Sequence, residues 1–108
     1  MPNNVERGYI VVAHLTTQLY MPSGDRPQVD CDLYVANYVT EDFDTASCIH
    51  YHISAMSLVQ LGAMFFAKQS LALIIKDTLS GLMPFAACEI LPVQKVTTVI
   101  EMVTVMEA

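Results

Sequence analysis

The sequence has few of the residues on which common functional sites depend. Its three cysteines, Cys31, Cys48 and Cys88, form no C-x-x-C pair, so we expect free thiols in a reducing compartment. The four glycines are isolated, which excludes a glycine-rich phosphate loop, and neither an H-E-x-x-H nor a G-x-S-x-G motif occurs. We therefore predict no catalytic residue and no cofactor, and an enzyme is the less favoured class.

Positive charge is also scarce. Five basic residues stand against eleven acidic ones, which gives a net charge of −6 at pH 7. Because no basic patch could neutralise phosphates, direct binding to nucleic acid or to an anionic membrane is disfavoured. A basic protein partner is compatible with this charge.

The sequence also shows no clear signal peptide or membrane-spanning segment. The first residues lack the basic region and the apolar core of a signal peptide. Residues 58–75 are long enough to span a membrane, but Lys68 lies mid-segment, and a central lysine costs about 2.5–3.5 kcal/mol on insertion scales. We expect a cytoplasmic protein.

Apolar residues, in contrast, are abundant. They make up 54% of the 108 residues, charged residues only 15%, and so small a domain has little interior to hold them. We expect a single domain over residues 1–108, with residues 1–7 frayed, and we expect the apolar surplus to lie between copies. The simplest such assembly is a two-fold homodimer.

Residues 57–81 have the pattern of one long helix. Ser57 and Gln60 have the spacing of a capping box, and Gly81 followed by Pro84 fits a helix end. The apolar face of this segment is broad, so it needs cover from other elements.

Alternation of apolar and polar residues predicts strands on both sides of this helix. We assign them to residues 8–21, 29–39, 47–53, 85–91 and 93–106. The last segment, 93–106, also has helical spacing, but its many valines and threonines favour a strand. Within 29–39, Val35 and Val39 are predicted to face inward and Tyr38 outward. The order β-β-β-α-β-β predicts an α+β fold, a mostly antiparallel sheet with the helix packed across one face.

Cys48, His50 and His52 alternate along a predicted strand and would project from one face. Together they could bind a metal ion, and His14, Asp30 and Asp32 could join from neighbouring strands. Histidine is equally an ordinary residue on the polar face of a sheet, and nothing fixes a fourth ligand. We predict no metal, and whether these three residues form a metal or catalytic site stays open.

Acidic residues concentrate in the first half of the chain. In the predicted hairpin they occupy one outer strand face and the loops beyond it, where they could dock a basic partner or only keep an apolar chain soluble. The candidate partner-binding residues are Asp25, Asp30, Asp32, Glu41, Asp42 and Asp44.

The preferred function is a small acidic interaction module that binds, inhibits or escorts a basic or nucleic-acid-binding protein and acts as a homodimer. In size, charge and element order the chain resembles small immunity proteins, phage-encoded inhibitors and secretion chaperones, although no motif carries this likeness. A small-ligand-binding protein or enzyme with a pocket between helix and sheet is one alternative, which histidines inside a pocket would support. The other is a structural subunit of a phage or other assembly, whose apolar tail pairs between copies.

Overall fold

The computed structural model describes residues 3–43 and 48–98 of the chain. Four strands form one antiparallel sheet in the order β3-β2-β1-β4, and one helix packs against it, so the predicted α+β class is confirmed. The strands are β1 (Asn3–Gln18), β2 (Gln28–Phe43), β3 (Cys48–Ser57) and β4 (Ala87–Thr98). A short 3-10 turn (Gln60–Gly62) and the helix α1 (Gln69–Leu82) lie between β3 and β4.

The strands run further than the sequence predicted. β1 begins at Asn3 and includes most of the segment expected to fray, because residues 3–7 pair with residues 94–98. Residues 40–43, predicted as a loop, belong to β2. The two strands expected on either side of Pro92 are one strand, in which Pro92 pairs with Tyr9. Proline is tolerated there because β4 is an edge strand of the described sheet, and its outer side needs no N–H. Residues 99–106 of the predicted tail strand lie outside the described residues.

The helix is shorter than predicted, and the predicted capping box is wrong. α1 begins at Gln69, while Ser57 ends β3 and exchanges hydrogen bonds with the backbone of Val59. Phe66 lies in extended backbone and exchanges two N–H···O=C bonds of 2.8 Å with Tyr9. Apolar spacing misled the prediction because a buried extended segment and a buried helix both need apolar residues.

This extended segment fills a fork in the sheet. β1 and β2 pair from Gln18 and Gln28 up to Val12 and Tyr34, and beyond that point β1 continues with β4 while β2 continues with β3. The backbone of residues 64–66 enters the gap: the Met64 N–H donates to the Val35 carbonyl, and Phe66 bonds Tyr9 on the other side. The backbone groups exposed by the separation of β1 and β2 thereby gain partners.

A bulge in β2 changes which side chains face the core. The pairing with β3 shifts register between Val35 and Tyr38. As a result Tyr38 packs against the core and stacks on Phe66, with ring centroids 5.9 Å apart, while Val39 is half exposed. The predicted orientations of Tyr38 and Val39 are therefore wrong, because an extra residue in a strand reverses the alternation beyond it.

The core lies between α1 and one face of the sheet, which we call the covered face. Its buried cluster combines strand, fork and helix residues, namely Val11, Ala13, Val35, Phe66, Ala72, Ile75 and Leu79. Helical spacing brings Ala72, Ile75 and Leu79 onto the side of α1 that meets the sheet. No helix among the described residues has the length and apolar character that a membrane crossing requires.

Candidate functional site

The opposite side of the sheet carries the candidate site. We call it the open face, because within residues 3–43 and 48–98 no helix packs on it. The pairing register and the alternation along each strand place side chains of β1, β2 and β4 there. They include Val12, His14 and Thr16 of β1, Asp30, Asp32 and Tyr34 of β2, and Glu89 and Leu91 of β4.

His14 joins three strands at the centre of this face. Its Nδ1 lies 2.6 Å from Oδ1 of Asp32, directly across on β2, and its Nε2 lies 2.8 Å from Oε1 of Glu89 on β4. When the imidazole is protonated, both nitrogens donate to a carboxylate, so the trio holds one positive and two negative charges. All three side chains are between 39% and 51% exposed, which leaves them within reach of a partner.

The two carboxylates favour the charged form of the imidazole. The hydrogen bond to Asp32 and then the hydrogen bond to Glu89 raise the pKa of His14 above its ordinary value, against a smaller opposing effect of burial. The charge of the open face therefore changes as His14 titrates. Below the pKa of His14 the imidazolium offsets one carboxylate, and above that pKa the full negative charge is exposed.

A further acid extends the acidic surface along the strands. The Thr16 hydroxyl donates to Oδ1 of Asp30 at 2.9 Å, which fixes that carboxylate one pair away from His14 and Asp32. Asp30 and Asp32 of β2 and Glu89 of β4 thus form a patch on either side of β1, which we call the acidic patch.

The structure brings together only part of the predicted acidic set. Asp30 and Asp32 lie on the open face, while Asp25 lies in the β1–β2 turn, where the Ser23 hydroxyl donates to it at 3.0 Å. Glu41 is on β2 beyond the fork, with its carboxylate 3.4 Å from His52 on β3. The backbone of Asp42 pairs with Ile49, but its side chain lies outside the described part. Asp44 lies outside the described residues altogether.

Glu89 was missed by sequence reasoning. The sequence placed it on a strand, FAACEIL, but gave no register for that strand. Only the pairing of β4 with the first strand, across 75 residues of chain, brings Glu89 to His14. The one local signal is a charged residue in an otherwise apolar strand, which indicates a solvent-facing position.

The candidate ligand set of Cys48, His50 and His52 is not joined by His14. His14 and Asp32 do meet, and Asp30 lies on the same face, but on the far side of the fork from the described part of β3 that holds the two histidines. Among the described residues no three histidine, cysteine, aspartate or glutamate side chains have a geometry that could hold a metal ion.

A cleft of about 530 Å³ lies between the start of α1 and the β1–β4 pair. Its polar lining comes mainly from Arg7, Tyr9, Gln69 and Gln94, and Arg7 and Gln94 are opposite each other in the strand pair. This is the kind of helix–sheet pocket that the ligand-binding alternative requires. None of the three histidines lines it, so the version of that alternative with a histidine cluster loses its support.

Comparison of the chain with known protein families, with curated proteins and with solved structures found no match.

Proposed function

We propose that the protein is a small acidic interaction module of the cytoplasm, which acts as a homodimer and binds a basic protein partner in order to inhibit or escort it. The observation that carries this proposal is the acidic patch. Three exposed carboxylates, Asp30 and Asp32 of β2 and Glu89 of β4, lie on the same face of the sheet on either side of β1.

The geometry suits recognition by charge. Paired strands hold the backbone of these carboxylates in fixed positions. A partner's lysines or arginines therefore bind acidic groups that lose little further conformational entropy on binding. Tyr34 and Leu91 lie on the same face and are only partly exposed, which gives the acidic patch an apolar border. Such a surface favours fast, salt-dependent association and selects against acidic partners.

The test uses charge reversal at matched positions. The partner captured by the wild-type chain is purified, and its affinity is measured for the wild type, Asp32→Lys, Glu89→Lys and the control Asp77→Lys. Asp77 lies on α1, away from the open face, with its side chain 78% exposed. We expect each reversal within the acidic patch to weaken binding about tenfold or more, and the salt dependence of binding to decrease.

Circular dichroism and thermal unfolding establish that each variant remains folded. Equal affinity of the wild type, Asp32→Lys and Glu89→Lys would contradict docking at the acidic patch. A loss of affinity in Asp77→Lys alone would indicate that the partner docks on α1 instead.

The cleft beside α1 favours a second candidate function, which is binding of a small ligand. Arg7 is the charged side chain in its lining, and within the described residues Arg7, Gln69 and Gln94 make no side-chain hydrogen bond or ion pair. A thermal-shift screen of small carboxylates and phosphates, repeated on Arg7→Gln, tests this function. A compound that stabilises the wild type but not Arg7→Gln would support ligand binding. If no compound stabilises the wild type, ligand binding is contradicted and the interaction module remains the proposed function.

A further inference from the structure

The two outer strands of the described sheet are protected to different degrees against pairing with another chain. β4 carries Pro92, Glu89 and Lys95, and proline and charged residues on an edge strand discourage further pairing. β3, with the sequence CIHYHISAMS, has no proline and no lysine, arginine, aspartate or glutamate in ten residues. β3 therefore lacks the usual means of blocking an edge.

The outer side of β3 is an edge of the described sheet. On its inner side β3 pairs with β2 from Ser57 to Cys48, and among the described residues no strand pairs with its outer side. An edge of this kind presents a row of N–H and C=O groups that bond either water or another strand. Ile49 is 53% exposed near one end of this row, which adds apolar surface beside it.

Charge selects a second copy of this chain as the strand that pairs there. At a net charge of −6 most surfaces of two copies repel each other, but β3 contributes no acidic side chain to such a contact. On the neighbouring strand, Glu41 is directed to β3 itself, with its carboxylate 3.4 Å from His52. A basic partner is drawn instead to the acidic patch on the other side of the fork.

We propose that β3 pairs antiparallel with β3 of a second copy across a two-fold axis, so that one continuous sheet, with the four described strands of each copy, runs through the dimer. Antiparallel pairing of one edge with itself is self-complementary, as a two-fold contact requires. This inference rests on the homodimer of the proposed function, but not on the docking of a partner. A ten-residue edge is at the small end of specific interfaces, and we expect a dissociation constant on the order of micromolar.

The experiment is sedimentation velocity of the isolated full-length chain over a wide concentration range. The variants are Ile49→Lys and Ser54→Lys, both at exposed positions of β3, with Val96→Lys as the control on the edge of β4. Lysine on the pairing edge brings like charges together, so we expect each β3 variant to weaken the dimer about tenfold or more and Val96→Lys to leave it unchanged. Circular dichroism verifies that the variants are folded.

Amide hydrogen exchange provides a second readout. Amides in residues 49–56 should exchange more slowly in the dimer than in the dilute monomer. A wild-type chain that stays monomeric at the highest concentration overturns the assignment. So does a dimer that both β3 variants retain, or one that Val96→Lys disrupts. No partner is present, so these results are independent of the docking proposal.

Discussion

The two faces of β1 are ordered by different interactions. On the covered face, Val11 and Ala13 are fully buried against α1 and Phe66. On the open face, Val12 is equally buried, and the next residue on that face, His14, is held by two carboxylates. The covered face carries the stability of the fold, whereas the polar contacts of the open face contribute little to it.

Truncation of the Phe66 side chain at the fork should have the largest effect on stability. Phe66 is 2% exposed and contacts Tyr38 and Tyr9 from the covered face. Phe66→Ala should lower the free energy of unfolding by about 3–5 kcal/mol, because it removes a large buried ring and leaves a cavity. Urea unfolding measures the loss, and Phe85→Ala is the control, since Phe85 is 74% exposed. A similar loss in both variants would mean that Phe66 is not a core residue.

A glycine beside the fork should show the next largest effect. A Cβ built on Gly8 would lie 2.5 Å from both the Phe65 ring and the Phe66 carbonyl oxygen, so Gly8→Ala forces the fork segment away from β1. We expect a loss of about 1–3 kcal/mol in the free energy of unfolding.

The matched control is Gly81→Ala. Gly81 lies in α1 with no atom near its hypothetical Cβ, so alanine there should stabilise the chain by up to about 1 kcal/mol. Thermal unfolding of both variants gives the comparison. Gly8→Ala as stable as the wild type would contradict the close approach of Phe65 and Phe66.

The open face should respond to pH. The pKa of His14 in the folded chain is raised above its ordinary value of 6.5 by Asp32 and Glu89. The stabilisation is therefore fully present below pH 6.5 and is lost as the pH rises through the folded-state pKa. Unfolding free energies across this range should decrease in the wild type and stay nearer to constant in His14→Gln. An NMR titration of His14 that gives an ordinary pKa would contradict the hydrogen-bonded trio.

The smallest effect is expected at Thr16. Thr16→Val removes the hydroxyl that donates to Asp30 on the exposed surface, so stability should change by no more than about 0.5 kcal/mol. Partner affinity should nevertheless fall, because the Asp30 carboxylate loses its fixed position. A large loss of stability would show that the open face supports the fold, which the comparison between the two faces denies.

Several features could be predicted from local patterns. Alternation along residues 29–39 predicted that Val35 faces inward, and the structure buries it in the core. The α+β class followed from strand patterns on both sides of one apolar helical segment. The concentration of acids in the first half of the chain also located Asp30 and Asp32, two members of the acidic patch.

The sequence by itself determined which residues alternate, which are apolar and how much charge the chain carries, because these depend only on neighbours along the chain. Tertiary structure alone decided the rest. Phe66 became part of the sheet because the separation of β1 and β2 left backbone groups in need of partners. Glu89 reached His14 only through the register of β4, and the bulge after Val35 turned Tyr38 inward. These outcomes depend on pairing between distant segments, and no local pattern of residues encodes that pairing.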